Sequence, residues 1–146
     1  MPDPAQLTER ASFRAWTRET ARFADTDRLG HVNNAVFATF CESGRVSFLY
    51  DASKPLAPPG AVFVIARLAL DFRAELHWRD QVDIGTAVLA MRRRSFTLGQ
   101  GLFCRDACVA AAESVMVLMD EATRRAIELP DRLRADLAAY LAPGAT

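Results

Sequence analysis

The sequence predicts an α+β domain in which an antiparallel sheet wraps one long helix. The first observation is the order of elements, because one strand pattern and one helix pattern precede a run of further strand patterns. Strands that follow one another without helices usually pair antiparallel. The second observation is that 146 residues with 51% hydrophobic content suit one well-packed domain. We therefore predict a single domain over residues 13–141, with flexible termini at 1–12 and 142–146.

Each element follows from local periodicity and turn chemistry. Alternating residues predict a first strand over 13–23. Asn33 and Asn34 precede an apolar segment, and asparagine accepts hydrogen bonds from the free amides of a first helical turn, so a buried helix should begin there. Leucines at helical spacing after Pro130 predict a short closing helix over 131–141. Extended apolar patterns predict four strands within 61–76, 81–93, 95–104 and 107–120.

The charge balance and the cysteine content limit the classes of binding partner and the cellular compartment that we expect. Eighteen basic residues balance eighteen acidic ones, which argues against nucleic-acid binding. Charged residues interrupt the apolar runs before they reach the roughly 18 residues of a membrane span, so no membrane contact is expected. The three cysteines form no disulfide framework, and the first residues lack the features of a signal peptide. Both observations favour a cytoplasmic protein.

The sequence offers no metal or nucleotide motif. His31 and His77 are the two histidines, and no zinc-like spacing joins them to the cysteines. Gly99 and Gly101 lie inside an apolar strand pattern with no helix after them, so a bulge or a close contact explains them better than a nucleotide loop. We expect neither a metal ion nor a cofactor.

Residues 25–34 contain the two kinds of group that acyl transfer requires at minimum, a carboxylate and free backbone amides. Asp25 and Asp27 lie directly before the predicted helix, whose free amides attract negative charge. A carbonyl oxygen bound there can be stabilised as an oxyanion while a carboxylate acts as nucleophile or as base toward water. Gly30 lets a ligand approach the turn closely. On residue types alone the alternative is structural, with Asp25, Asp27 and Asn34 bonding turn and helix-start amides.

A resemblance to a known family is carried by RFADTDRLGHVNNAVFATFCESGRVSFL. This stretch resembles the opening of hot-dog-fold acyl-CoA thioesterases of the 4-hydroxybenzoyl-CoA thioesterase type, in which such a turn precedes the long helix. The resemblance continues through ARLALDFRAEL, MRRRSFTL and VMVLMDEATRRAIELPDRLRADL. It implies a five-stranded antiparallel sheet around the helix and hydrolysis of acyl-CoA without a cofactor. It also implies homodimers or homotetramers with active sites at subunit boundaries.

The resemblance also assigns residue roles. Asp27 would be the catalytic acid, and Asp25 would be structural. The amide that polarises the thioester carbonyl would belong to the first helical turn, at about Asn34. The residues that would shape the substrate pocket are Gly30, His31, Val32 and Asn33.

Some hot-dog thioesterases carry the catalytic acid within the helix, where Glu42 is the candidate in this sequence. At 1.5 Å per residue, Glu42 lies roughly 12 Å along the axis from Asn34, too far to share a carbonyl with that amide. We predict instead a buried acid paired with a charged partner such as Arg45.

An arginine cluster is the candidate site for the CoA phosphates. Arginine binds phosphate bidentately, and the cluster lies where one strand passes to the next. Because adjacent side chains of a strand face opposite sides, Arg92 and Arg94 should share a face that Arg93 does not. We predict that Arg92, Arg94 and Ser95 bind CoA. The alternative is a solvated hairpin edge decorated with charge.

The predicted function is hydrolysis of an acyl-CoA thioester, with Asp27 as nucleophile or general base. Two alternatives are a non-catalytic acyl-thioester-binding or dimerisation module and a hot-dog dehydratase, which needs a histidine opposite an acid. A single sheet on one helix leaves apolar side chains such as Val115, Val117 and Met119 in need of cover, which predicts self-association. The acyl chain, the carrier (CoA or acyl carrier protein) and the choice between dimer and tetramer stay open.

Overall fold

The computed structural model describes residues 4–145, which form five strands and two α-helices. The sheet has the order β1-β3-β4-β5-β2, and every neighbouring pair is antiparallel. This architecture confirms the predicted α+β fold. No helix within these residues is long and apolar enough to cross a membrane. The elements are β1 (Ala15–Thr20), α1 (Asn34–Leu49), β2 (Ala61–Phe72), β3 (Gln81–Met91), β4 (Ser95–Cys104), β5 (Ala107–Asp120) and α2 (Asp131–Ala138).

Helix α1 begins where the asparagine pair predicts. Asn33 is the N-cap, and its side-chain oxygen accepts a hydrogen bond from the Ala35 amide at 3.1 Å. The prediction of a buried helix holds for one face only, because Val46 on the opposite face is 49% exposed. The buried face consists of Phe37, Phe40, Cys41, Gly44, Arg45, Phe48 and Leu49.

The sheet has two ends of different character. At one end, which we call the loop end, Thr20 of β1 pairs with Gln81 of β3, and residues 21–33 connect β1 to α1. At the other end, which we call the hairpin end, residues 92–94 connect β3 to β4. The 11 residues of β3 span up to about 33 Å between the two ends.

The described parts of both termini pack on the sheet, in contrast to the expected flexibility of 1–12 and 142–146. Leu7 is 3% exposed, and a Cβ atom on Gly101 would lie 2.6 Å from the Leu7 carbonyl oxygen. Ala142 is 4% exposed, and its amide donates to the Val88 carbonyl at 2.9 Å. The glycine in β4 therefore makes room for the N-terminal segment, a contact that strand periodicity does not reveal.

Candidate active site

A short hairpin over residues 26–32 presents Asp27 at the loop end. The Asp27 amide donates to the His31 carbonyl at 2.8 Å, and the Gly30 amide donates back to the Asp27 carbonyl at 3.1 Å. Gly30 has a φ of +82°, which favours glycine at this turn. Val32 is 3% exposed and anchors the hairpin in the core. The base of the hairpin is consequently fixed in the core, while its tip is open to solvent.

The two oxygens of the Asp27 carboxylate have different surroundings. Oδ1 accepts hydrogen bonds from the amides of Leu29 at 2.8 Å and His31 at 3.2 Å. Oδ2 has no hydrogen-bond partner among residues 4–145, and the side chain is exposed. One oxygen thus holds the carboxylate in place, while the other is free to meet a substrate or a water molecule.

Asp25, two residues earlier, is held inside the loop. Its side chain is 5% exposed and accepts from the Arg22 amide at 2.8 Å and the Arg22 guanidinium at 2.9 Å. The hydrogen bond from the Arg22 side chain lowers the pKa of Asp25 below its ordinary value. The Asp25 carbonyl also accepts from the Asn33 amide at 2.9 Å. Asp25 therefore ties the loop to the start of α1.

The start of α1 leaves one amide unbonded. The Ala35 amide donates to the Asn33 side chain, and the Val36 amide donates to the Asn33 carbonyl at 2.8 Å. The Asn34 amide has no acceptor in the described part of the chain. A free amide at a helix N-terminus is a ready donor to an oxygen that gains negative charge.

Glu42 and Arg45 do not form the predicted buried pair. Glu42 is exposed, whereas Arg45 is 7% exposed, and no ion pair joins them. Burial lowers the pKa of Arg45, and its Nη1 atom has no hydrogen-bond partner within residues 4–145. The prediction of a buried acid is wrong because Glu42 lies at the exposed side of a surface cavity that it lines together with Arg45.

The arginine cluster lies in the turn between β3 and β4, where one strand passes to the next as predicted. The alternation that was to set Arg93 apart therefore does not apply. Arg93 differs for another reason, since its Nε donates to Glu128 at 2.6 Å. Arg92 and Arg94 are exposed and form no ion pair in the described range. Ser95 begins β4, and its carbonyl accepts from the Arg92 amide at 2.8 Å.

One chain does not bring the predicted catalytic and CoA-binding groups together. Asp27 and Asn34 lie at the loop end, while Arg92 and Arg94 lie at the hairpin end, up to about 33 Å away along β3. A single ligand can contact both groups only if the hairpin end comes from another copy of the chain.

The structure brings together three residues that sequence reasoning did not connect. His31 and His77 form an isolated antiparallel bridge, and the Glu75 carboxylate lies 3.2 Å from Nε2 of His31. Zinc-like spacings of histidine and cysteine do not include this glutamate. The sequence signal was the pairing of Glu75 with His77 two positions later in an extended segment, where alternate side chains share a face.

A family model for the thioesterase-like superfamily matches residues 21–137. The chain belongs to the thioesterase-like superfamily. This membership confirms the resemblance found in the sequence and identifies the five-stranded architecture as a hot-dog fold. The match includes the Asp27 hairpin, α1 and strands β2 to β5.

Solved structures of other proteins share the fold. A Pseudomonas aeruginosa protein superposes with a TM-score of 0.82 at 21% identity, over 94% of this chain and 97% of that one. A Thermus thermophilus thioesterase, complexed with coenzyme A and zinc, has a TM-score of 0.78 at 27% identity, with coverages of 88% and 95%. A Staphylococcus aureus protein in complex with CoA has a TM-score of 0.77 at 16% identity, with coverages of 86% and 82%. No curated protein matches the chain. Family and neighbours together support thioester hydrolysis in general.

Proposed function

We propose that this thioesterase-like protein hydrolyses acyl-CoA thioesters to a free acid and CoA. The observation that carries the proposal is the free Oδ2 of Asp27 at the same end of the sheet as the unbonded Asn34 amide. The amide donates to the thioester carbonyl oxygen, which gains negative charge as its carbon is attacked. Asp27 either attacks that carbon or removes a proton from the attacking water. The carbon–sulfur bond then breaks, and CoA leaves as the thiolate. When water is the attacking group, this step gives the free acid directly. When Asp27 is the attacking group, it gives an acyl–Asp27 anhydride, which water then hydrolyses to release the acid and restore the carboxylate.

The remaining pocket residues would surround the acyl group near the carbonyl. Gly30 has open space where a side chain would begin, since no atom lies within 4 Å of its ideal Cβ position. His31 is half-buried and Asn33 is exposed beside it. We include Gly30, His31, Val32 and Asn33 in the proposed substrate pocket because they form the hairpin and helix start that flank Asp27 and Asn34.

A second copy of the chain would complete this site. Asp27 and Asn34 are both exposed, so a single chain does not enclose them in a pocket. The edge strand β2 exposes three large apolar side chains, which is typical of an interface. These are Ile65 at 44%, Leu68 at 37% and Phe72 at 49%, whereas the predicted contacts Val115, Val117 and Met119 on β5 are only half-exposed. We propose a homodimer, alone or within a homotetramer, formed along the β2 edge.

The direction of β2 determines what such a dimer would bring together. β2 runs from the hairpin end at Ala61 to the loop end at Phe72. Two copies related by a twofold axis would pair their β2 edges antiparallel, so each loop end would adjoin the partner's hairpin end. Buried Arg45 lines a cavity beside Ile65 and Leu68, and a partner could supply the acceptor that its Nη1 lacks.

We assign the CoA phosphates to Arg92 and Arg94, with Ser95 beside them. Both arginines are free of carboxylate partners in residues 4–145, so they keep their donors for phosphate. The antiparallel dimer would place these arginines at the end of the sheet that holds the partner's Asp27. Two of the structural neighbours were determined with CoA bound, which supports CoA as the carrier here.

The experiment is a panel of acyl-CoA thioesters with aromatic, short and long acyl chains, followed by release of free thiol. We expect release from at least one member at a rate that depends on Asp27. The same acyl groups on acyl carrier protein test the carrier. Saturable binding without thiol release would instead identify an acyl-thioester-binding module, and dehydration of a hydroxyacyl thioester would identify a dehydratase.

A further inference from the structure

Three potential metal ligands converge beside the Asp27 hairpin. The side chains of His31, Glu75 and His77 each place a ligand atom within 4.8 Å of the other two. The Glu75 Oε2 atom lies 3.2 Å from His31 Nε2 and 3.8 Å from His77 Nε2. Two ligands of one tetrahedral zinc ion, at bond lengths of 2.0–2.1 Å, are about 3.3 Å apart. The glutamate oxygen is therefore already near the required distance from both imidazoles.

The backbone holds this arrangement together. His31 and His77 form an antiparallel bridge, and the Val32 amide donates to the Leu76 carbonyl at 2.8 Å. The two imidazole rings consequently lie edge to face, with centroids 5.5 Å apart and planes at 81° to each other. Residues 31 and 77 are far apart in sequence but fixed opposite each other in space. A bound ion would thus meet two ligands positioned by main-chain pairing rather than by free surface side chains.

A buried carboxylate lies behind one of the histidines. The Asp80 side chain is 5% exposed; its Oδ2 accepts from the His77 amide at 2.8 Å and lies 3.8 Å from His77 Nδ1, while its Oδ1 pairs with Arg105 at 2.6 Å. His77 therefore presents Nε2 toward Glu75 while Nδ1 faces Asp80. Metal-binding histidines commonly use one ring nitrogen as the ligand and direct the other to a carboxylate.

We propose that His31, Glu75 and His77 bind a divalent transition-metal ion of the Zn²⁺ type. Two imidazoles and one carboxylate suit this class of ion, and the partial exposure of all three side chains leaves its other coordination positions to water. The ion would link the Asp27 hairpin to the segment before β3, because His31 belongs to one and His77 to the other. Its role would be to fasten the hairpin, whatever reaction Asp27 performs.

Binding is tested by calorimetric titration of Zn²⁺ into chelator-treated protein without a histidine tag. We expect one ion per chain and a rise in Tm with Zn²⁺. His77→Gln and Glu75→Gln should each weaken binding about tenfold or more, since even loss of an outer partner costs 10–100-fold. Glu128→Gln is the matched control, because this exposed glutamate pairs with Arg93 at the hairpin end. The Glu128→Gln protein should bind Zn²⁺ with the same affinity as the unaltered protein.

Spectroscopy identifies the ligands independently of stability. The chain has only two histidines, so both imidazole signals can be followed by NMR, and both should shift on Zn²⁺ addition. Co²⁺ should give the visible spectrum of nitrogen and oxygen ligands. Absence of binding at micromolar Zn²⁺, equal affinity in folded His77→Gln and Glu75→Gln proteins, or a thiolate-to-cobalt band would each overturn the proposal.

Discussion

The loop end and the hairpin end of the sheet carry complementary chemistry. The loop end holds an anchored carboxylate at Asp27 and a free helix amide at Asn34. The hairpin end holds Arg92 and Arg94, which form no ion pair in the part of the chain that is described. One end suits attack on a carbonyl, and the other suits phosphate binding. In the proposed antiparallel dimer, each copy would supply two half-sites, and these half-sites would belong to two different active sites.

The largest effect is expected at the loop end. Asp27→Asn keeps the size of the side chain but removes the charged oxygen, so kcat for a good acyl-CoA substrate should fall about 100-fold or more. The rate of thiol release at saturating substrate concentration measures kcat. Asp25→Asn is the matched control and should retain much more activity, because Asp25 is buried against Arg22. Wild-type turnover by Asp27→Asn would contradict the assignment.

The next largest effect, on dimerisation and activity, is expected from substitutions along β2. Leu68→Lys would place a charge in the proposed interface, where its desolvation is costly, so the dimer should dissociate and activity should fall. Light scattering at micromolar concentration measures the oligomeric state. Phe23→Lys, at a position 71% exposed in the β1–α1 connection, should leave the dimer intact. An unaltered protein that is monomeric and fully active would refute the shared site.

A smaller effect is expected at the hairpin end. Arg92→Ala or Arg94→Ala should raise KM for acyl-CoA about tenfold, the equivalent of one charge-assisted hydrogen bond. Turnover of a truncated thioester without the nucleotide should hardly change. Arg93→Ala should have less effect on KM, because Arg93 is already paired with Glu128. Equal effects of all three substitutions on both substrates would remove the phosphate assignment while leaving that of Asp27.

The smallest effect concerns stability rather than turnover. The Arg22 hydrogen bond lowers the pKa of Asp25 in the folded protein. The ionised carboxylate therefore stabilises the fold at pH values above the unfolded pKa of about 4. This stabilisation is lost as the pH falls through the lower pKa that Asp25 has in the folded protein. Asp25→Asn should lower Tm by a few degrees at pH 7. Thermal unfolding from pH 7 to pH 2 should show the two proteins converging in acid. A constant difference across that range would contradict the role of Asp25.

The sequence predicted those features that depend on near neighbours in the chain. The helix start at Asn33 was predictable because N-capping involves a side chain and an amide two residues away. Strands β2 to β5 were predictable from extended apolar patterns ended by turn residues. The arginine cluster was predicted where one strand passes to the next, and it lies there; only the strand alternation applied to it was wrong, because the charge pattern alone does not show where β3 ends.

Features that depend on contacts between distant segments were not predictable in this way. The convergence of His31 with Glu75 depends on the bridge to His77, which no local pattern encodes. The separation of Asp27 from Arg92 depends on the direction of β3 across the sheet. The burial of Leu7 depends on the space that Gly99 and Gly101 leave above β4. Each of these requires the strand order β1-β3-β4-β5-β2.

The most direct test of the shared site mixes two inactive or weakened proteins. An Asp27→Asn chain and a chain with Arg92→Ala and Arg94→Ala are unfolded together, refolded in equal amounts and assayed at an acyl-CoA concentration below KM. In a mixed dimer, one site would combine both defects and the other would have none. Since half of the dimers are mixed, activity should reach about one quarter of that of the unaltered protein. Activity no greater than the average of the two variants refolded separately would show that the two ends do not serve one site.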